Sequence, residues 1–181
     1  MKTTVINFVG SPCSGKSVLA AYTFAILKTM HKKAEYIQEH AKFLIYQERF
    51  EELNNQYSVS TEQYKLIKAV DGKVDFITLD SPLLLGMYYN KHFPSNVSNI
   101  EKTRDMILSK MCEFNNVYIF LKRNKDFPFQ LEGRVHDENQ SNIIEKELQE
   151  LLQELQIPYL EITSDISNID KILKYIQIKK L

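Results

Sequence analysis

A chain of 181 residues is long enough to bury one sizeable core, because single domains commonly contain about 100 to 200 residues. Its composition, 44% hydrophobic and 25% charged, excludes an intrinsically disordered protein. Basic and acidic residues both number 23, so the net charge disfavours long polyanions and anionic membranes as partners.

The first third of the chain alternates strand-like and helix-like segments. Residues 5–9 form a β-branched run before a glycine, which is typical of a buried strand, and residues 17–30 carry apolar side chains at helical spacing. The pattern predicts a second strand at 33–37 and a helix at 38–53. We therefore expect Glu39 near a strand-to-helix junction.

The middle third repeats the alternation. A helix is predicted over 60–70, opened by a capping box in which Ser60 pairs with Gln63. The apolar run at 74–79 predicts the third strand. Asp80 is therefore expected at the carboxyl end of a strand.

Two more helices and a strand follow. Pro82 predicts a helix with proline at its first position, and Ser98 with Glu101 predicts the capped start of another. Residues 117–121 are typical of a fourth buried strand, and residues 122–138 form a polar loop.

The last third contains a helical pattern at 139–155, a fifth strand at 158–162 and an amphipathic helix at 166–178. Alternating strands and helices call for a parallel sheet with helices on both faces. We predict a three-layer α/β fold with a five-stranded parallel sheet, as one domain over residues 1–181. Such sheets bind ligands beyond the carboxyl ends of their strands.

A glycine-rich motif lies between the first predicted strand and helix, because residues 10–17 satisfy G-x-x-x-x-G-K-[ST] in full. In this motif backbone amides surround the β-phosphate, Lys16 reaches the β- and γ-phosphates, and Ser17 can ligate Mg²⁺. The alternative is a chance loop before a helix. We predict the P-loop NTPase fold with ATP (or GTP) and Mg²⁺ as cofactors, bound by Gly10, Ser11, Pro12, Cys13, Ser14, Gly15, Lys16 and Ser17.

The cysteines and the apolar runs predict a cytoplasmic location. A disulfide at Cys13 would hinder phosphate access to the glycine-rich loop, and Cys112 is the only other cysteine. No apolar run approaches the ~18 to 20 residues that span a bilayer, and none resembles a signal peptide. We therefore expect no membrane partner.

Asp80 is the candidate second metal residue, together with Ser17. An acidic residue after a buried strand commonly holds the metal of a P-loop site directly or through water. The alternative is a carboxylate that only gains ~0.3 to 1 kcal/mol from a nearby helix start. Asp75 should lie at the opposite end of the sheet.

Glu35 and Glu39 are the candidate general bases for a hydroxyl that accepts the phosphoryl group. Phosphoryl transfer needs in-line positioning and one residue that orients the nucleophile. We favour Glu39 because the junction faces the active edge, although a solvated glutamate paired with Lys42 is the alternative. Gln63 is a candidate contact to the acceptor, or only a capping residue.

The loop after the fourth strand is rich in cations and resembles a lid at about 122–138. Arg123 and Arg134 are its candidate catalytic residues, since an arginine on a closing loop can neutralise charge on a transferred phosphoryl group. Gly133 would let the backbone move. The alternative is a solvated basic loop.

Four segments together resemble one family of P-loop kinases. They are GSPCSGKS, EYIQEHAK, LDSPLLLGMYY and LKRNKDFPFQLEGR. The set is similar to the P-loop kinase family related to ribosylnicotinamide kinase, which includes ATPase-like proteins of bacteriophages, and it covers about residues 3–163. The resemblance implies a nucleoside/nucleotide-kinase-like fold and, if the chain is phage-encoded, a place in the host cytoplasm.

The same resemblance assigns roles to individual residues. It implies that Gly15, Lys16 and Ser17 bind nucleotide and Mg²⁺ and that Asp80 supports the metal. Glu39 and Lys42 would face the acceptor. The two lid arginines, Arg123 and Arg134, would complete the site.

The favoured function is an ATP-dependent phosphotransferase acting on a nucleoside, a nucleotide or a related small molecule. The first alternative is a kinase for DNA or RNA, which the neutral charge disfavours. The second is a non-catalytic, regulatory nucleotide-binding module, which a complete P-loop with Asp80 disfavours. The sequence shows neither the arginine finger nor the sensor segments of ring-forming ATPases, and it leaves both a monomer and a homodimer open.

Overall fold

The computed structural model describes residues 2–126, 129 and 137–177. It contains one five-stranded sheet in which every strand pair is parallel, with the strand order β2-β3-β1-β4-β5. The predicted α/β fold with a parallel sheet is confirmed. The strands are β1 (Thr4–Val9), β2 (Ala34–Ile37), β3 (Phe76–Leu79), β4 (Asn115–Lys122) and β5 (Tyr159–Thr163).

Helices connect the strands and cover both faces of the sheet. Ile6 and Phe8 of β1 pack on one face with the helices at 16–29 and 169–175, whereas Val5 and Val9 pack on the other with the helices at 56–70, 83–92, 100–111 and 138–154. Alternate side chains of the strand point to opposite faces, and both sets are buried because helices cover the parallel sheet on both sides. The helices are α1 (Lys16–Thr29), α2 (His40–Tyr46), α3 (Phe50–Leu53), α4 (Gln56–Val70), α5 (Leu83–His92), α6 (Ile100–Met111), α7 (Glu138–Glu154) and α8 (Ile169–Tyr175).

The strand order decides where a ligand site can form. Strand β1 lies between β3 and β4. The strands that follow β1 in the chain, β2 and β3, lie on one side of it, and β4 and β5 lie on the other. The register pairs Asn7 with Leu79 and Val9 with Phe120, which brings the carboxyl ends of these three strands to one edge. A reversal of this kind opens a crevice beyond the strand ends.

Three predicted helix starts are wrong in detail. Helix α4 begins at Gln56, because the Asn55 side chain accepts a 3.0 Å hydrogen bond from Ser58 N, and Ser60 with Gln63 is therefore no capping box. Helix α6 is capped by Asn99, one residue after Ser98. Pro82 occupies the capping position of α5 instead of its first turn.

The helix predicted over 38–53 is two short helices. Helix α2 ends near Gln47, and Glu48 has a φ of 56°, a left-handed conformation that stops an α-helix. The chain then restarts as α3. This break is absent from the helical pattern because no glycine or proline marks it.

The apolar side chains of α5 belong to the core. Leu83, Leu84, Leu85 and Met87 are all buried, so they provide no exposed surface for a second copy of the chain. Among the described helices, none combines the length and apolarity needed to cross a membrane.

Candidate active site

The glycine-rich loop connects β1 to α1 and lies tightly against the neighbouring strand ends. Gly15 caps α1 with a φ of 81°, and a Cβ placed on it would lie 1.9 Å from Ser164 Oγ. A Cβ on Gly10 would lie 2.9 Å from the carbonyl oxygen of Leu121. Both glycines are therefore needed for the close approach of the loop to the ends of β4 and β5.

Lys16 spans the loop that precedes it. Its Nζ donates hydrogen bonds of 2.8 Å to the carbonyl oxygens of Gly10 and Ser11. The ammonium group is thus held above the loop, at the amino end of α1, where the helix dipole also favours an anion. This arrangement places a cation beside a row of backbone amides, which is the chemistry that phosphate groups require.

Helix α7 supports the loop from the side of β4. The hydroxyl of Ser141, which is fully buried, donates to the carbonyl oxygen of Pro12 at 2.7 Å and lies 3.0 Å from Ser11 Oγ. These contacts join two segments that are 129 and 130 residues apart in the chain. The conformation of the loop therefore depends on the packing of α7.

Asp80 follows β3 directly and is almost completely buried, with 3% of its surface exposed. Its Oδ2 accepts a 2.8 Å hydrogen bond from the hydroxyl of Tyr36 in β2. Its Oδ1 is buried and has no hydrogen-bond partner among the described residues. A buried carboxylate oxygen without a partner is costly, so a ligand for it is expected at this position.

Ser17 belongs to the same group of side chains. Burial, followed by the Asp80 carboxylate, raises the pKa of the Tyr36 phenol, whereas the side chain of Ser17 acts in the opposite direction. The Asp80 carboxylate and the Ser17 side chain are thus both part of the surroundings of the Tyr36 hydroxyl. Hydroxyl and carboxylate oxygens are ligands that Mg²⁺ accepts, and the residues present fit such an ion.

A cavity of about 170 Å³ opens from the glycine-rich loop towards α2, α3 and α5. The loop forms its floor, and Glu39 and Lys42 contribute charged groups to the wall. The remaining wall is mostly apolar and includes Ala41, Ile45, Leu53, Leu85, Tyr89 and Phe93, with the buried amide side chain of Gln56 among them. Such a mixture is typical of small-molecule sites.

Of the two candidate bases, the structure places only Glu39 in this cavity. Glu39 caps α2 with φ −65° and ψ 115° and lines the cavity with the loop residues. Glu35 lies within β2 and is exposed. Asp75 precedes β3 and accepts a hydrogen bond from Lys33 N, at the amino end of the sheet as predicted.

Gln63 fixes the junction that carries Glu39. Its Oε1 accepts a 2.9 Å hydrogen bond from His40 N, and its Nε2 donates to the carbonyl oxygen of Gln38 at 3.4 Å. The amide therefore binds the backbone on both sides of Glu39. Gln63 also lines a smaller cavity of about 30 Å³ next to the first.

Arg123 lies just beyond β4. Its guanidinium pairs with Glu138 at the start of α7 and lies 5.2 Å from the ring centre of Phe129. Its backbone N donates to Glu145 at 3.2 Å. The other lid candidates, Gly133 and Arg134, lie outside the described residues.

Several residues of the site were given no role by the sequence. Tyr36 lies within the segment EYIQEHAK, but its only local signal is an aromatic residue in a short strand, two positions after the buried Ala34. Tyr89 lies in α5 and Phe93 directly after it, a spacing of four residues that usually indicates core packing. Tertiary structure alone brings them to the loop.

Comparison with known proteins gives a family and a fold. Residues 5–168 match the family model described as an AAA domain. No curated protein matches the chain. The match covers the glycine-rich loop, the cavity and the start of the segment after β5.

Similar solved structures include a NadR protein and two kinases, each with nucleotides bound. A NadR protein in complex with NAD and AMP-PNP has a TM-score of 0.72 at 14% identity, over 99% of this chain and 51% of NadR. The deoxyadenosine kinase from M. mycoides, with dCMP and dCDP bound, has a TM-score of 0.62 at 16% identity, over 95% of this chain and 98% of that one.

A third similar structure is the APS kinase CysC from Mycobacterium tuberculosis in complex with AMPPNP and APS. Its TM-score is 0.54 at 10% identity, over 97% of this chain and 98% of that one. The chain thus has the fold of P-loop nucleotide kinases, and the predicted resemblance is confirmed. It spans about half the length of the NadR protein.

Proposed function

The chain belongs to the AAA domain family, and from this premise we propose that it is a P-loop kinase that transfers the γ-phosphoryl group of ATP to a small acceptor. We propose a nucleoside, a nucleotide or a related molecule as the acceptor. One observation carries the proposal: the cavity shared by the glycine-rich loop, Glu39 and an apolar wall. A non-catalytic nucleotide module needs no second compartment beside its phosphate loop.

The nucleotide side of the mechanism uses residues at the amino end of α1. In the proposed complex, Lys16 turns its ammonium from the carbonyl oxygens of Gly10 and Ser11 to the β- and γ-phosphates. Ser17 and Asp80 are the residues that would hold Mg²⁺, which neutralises charge on the phosphates when bound. The backbone amides of the loop keep the phosphate chain in one orientation.

The acceptor side uses the wall of the cavity. Glu39 accepts the proton of the acceptor hydroxyl, whose oxygen forms the new bond to the γ-phosphorus. The bond between that phosphorus and the bridging oxygen breaks, and the nucleoside diphosphate leaves with the electron pair. The apolar side chains exclude water, which reduces wasteful hydrolysis of ATP.

The acceptor itself would lie against Tyr89 and Phe93. Flat aromatic walls favour a planar group such as a nucleobase, and the Gln56 amide provides a polar contact in the same wall. We propose that Lys42, which is exposed at the rim with its Nζ 5.8 Å from the ring centre of Tyr46, contacts the acceptor. We also propose that Arg123 and Arg134 act from the lid.

The proposal is tested by ATP consumption with Mg²⁺ and a panel of acceptors. The panel contains nucleosides, nicotinamide riboside, nucleoside monophosphates and hydroxymethylated DNA. One small acceptor should stimulate turnover, Lys16→Ala should abolish it, and Lys28→Ala, at the exposed far end of α1, should retain it. Stimulation by DNA alone would instead support a nucleic-acid kinase, and tight ATP binding without any turnover would support a regulatory module.

A further inference from the structure

Tyr36 contacts Asp80, one of the two residues that would hold the metal of the nucleotide, and lies near the other, Ser17. Its hydroxyl donates to Asp80 Oδ2 at 2.8 Å, and its environment includes the side chain of Ser17. The residues of this group come from three elements: Tyr36 from β2, Ser17 from α1 and Asp80 from the end of β3. No sequence motif assigns Tyr36 a role.

The ring and the hydroxyl of Tyr36 have separate surroundings. The ring packs with the core on the α1 side of the sheet and lies 6.5 Å from the ring of Phe24. The hydroxyl points away from this core to the Asp80 carboxylate. Loss of the hydroxyl alone therefore leaves the packing of the ring intact and removes only the interactions of the hydroxyl.

The hydrogen bond restricts how Asp80 is presented. A carboxylate can rotate about its terminal bond, and one fixed oxygen leaves the other in a single position. Here Oδ2 is fixed by Tyr36, and Oδ1 is the buried atom without a partner among the described residues. Groups that hydrogen-bond to metal ligands orient them, and their loss typically costs about 10 to 100-fold in metal affinity.

We propose that Tyr36 is a positioning residue, whose hydroxyl orients Asp80 for the divalent cation that accompanies the nucleotide. The inference rests on the nucleotide site of the proposed function and not on the identity of the acceptor. It predicts that Tyr36 contributes to nucleotide affinity only when the metal is present.

The test compares nucleotide affinity with Mg²⁺ and with EDTA, without any acceptor. The measured quantity is the dissociation constant of a fluorescent ATP analogue in EDTA divided by its dissociation constant in Mg²⁺. Tyr36→Phe should lower this ratio by about tenfold or more and change the affinity in EDTA by less than about twofold. Tyr88→Phe is the matched control, because the Tyr88 hydroxyl donates to the Glu147 carboxylate at 2.5 Å, outside the site.

Two results would overturn the inference. The first is an unchanged ratio in Tyr36→Phe, and if affinity then falls equally with and without Mg²⁺, the role of Tyr36 is structural. The second is a wild-type ratio close to one. Wild-type protein that binds no nucleotide at all would overturn the proposed function as well, so the two failures are distinguishable.

Discussion

Gly15 and Ser164 approach each other so closely that a Cβ on Gly15 would lie 1.9 Å from Ser164 Oγ and 3.0 Å from Ser164 Cβ. Gly15 also has a φ of 81°, a conformation that L-residues rarely adopt. Two separate costs therefore oppose any side chain at this position: the backbone strain and the collision.

We expect Gly15→Ala to reduce the free energy of unfolding by about 2 to 3 kcal/mol, because it carries both costs. Gly72→Ala separates them, since Gly72 has a φ of 80° and a Cβ added to it would meet no atom within 4 Å. That variant should lose only about 1 kcal/mol. Urea unfolding measures both, and equal losses would show that the collision with Ser164 relaxes without cost.

Glu39→Gln should lower acceptor-dependent turnover by about 10² to 10⁴-fold, because an amide cannot accept the proton of the attacking hydroxyl. Affinity for nucleotide should stay within about twofold, since the substituted side chain keeps its size. Steady-state kinetics with the acceptor found in the panel, together with nucleotide titration, measure the two effects. Glu35→Gln is the control, because Glu35 is exposed on β2. Equal effects of the two substitutions would exclude Glu39 as the specific base.

Ser141→Ala should destabilise the protein by about 1 to 3 kcal/mol, because it leaves the carbonyl oxygen of Pro12 without its donor. The glycine-rich loop should also bind nucleotide less tightly. Ser60→Ala is the matched control, since Ser60 is buried within a helix and its hydroxyl has no partner among the described residues. That variant should change the free energy of unfolding by less than about 1 kcal/mol. Similar losses in both would disprove the support of the loop by α7.

The stability of the protein should fall at alkaline pH, in part through Tyr118. Burial raises the pKa of the Tyr118 phenol above its ordinary value. Above about pH 10 the unfolded chain loses this proton while the folded chain keeps it. The unfolded state then binds fewer protons, so the free energy of unfolding decreases with pH, by up to about 1.4 kcal/mol per pH unit for this group.

Tyr118→Phe removes this contribution and keeps the ring. Between about pH 9 and about pH 11, the wild-type protein should lose about 1 kcal/mol more stability than the variant. Urea unfolding at the two pH values measures the difference, and lysines and other tyrosines contribute equally to both proteins. Parallel pH dependences would show that Tyr118 ionises in the folded protein as readily as in the unfolded chain.

The sequence by itself determined the features that depend on neighbouring residues. The motif at residues 10–17 predicts a phosphate loop because its glycines, lysine and serine are contiguous between a strand and a helix. Apolar runs predicted all five strands, and the alternation of strands and helices predicted their parallel arrangement. The position of Asp80 after β3 follows from the same pattern.

Local signals were less reliable where several residues compete for one role. Asn55 and Ser60 both have side chains that can cap a helix, and the one that does so depends on where packing starts α4. Similarly, Glu48 breaks the predicted helix through a left-handed conformation that its residue type does not announce.

Only the tertiary structure decided which distant residues meet. The contacts of Tyr36 with Asp80 and of Ser141 with Pro12 join residues 44 and 129 positions apart. They depend on the strand order β2-β3-β1-β4-β5, which the alternation of elements does not specify. The physical reason is that strand order depends on how whole faces of the sheet pack against the helices. A motif, in contrast, consists of residues that are neighbours in the sequence.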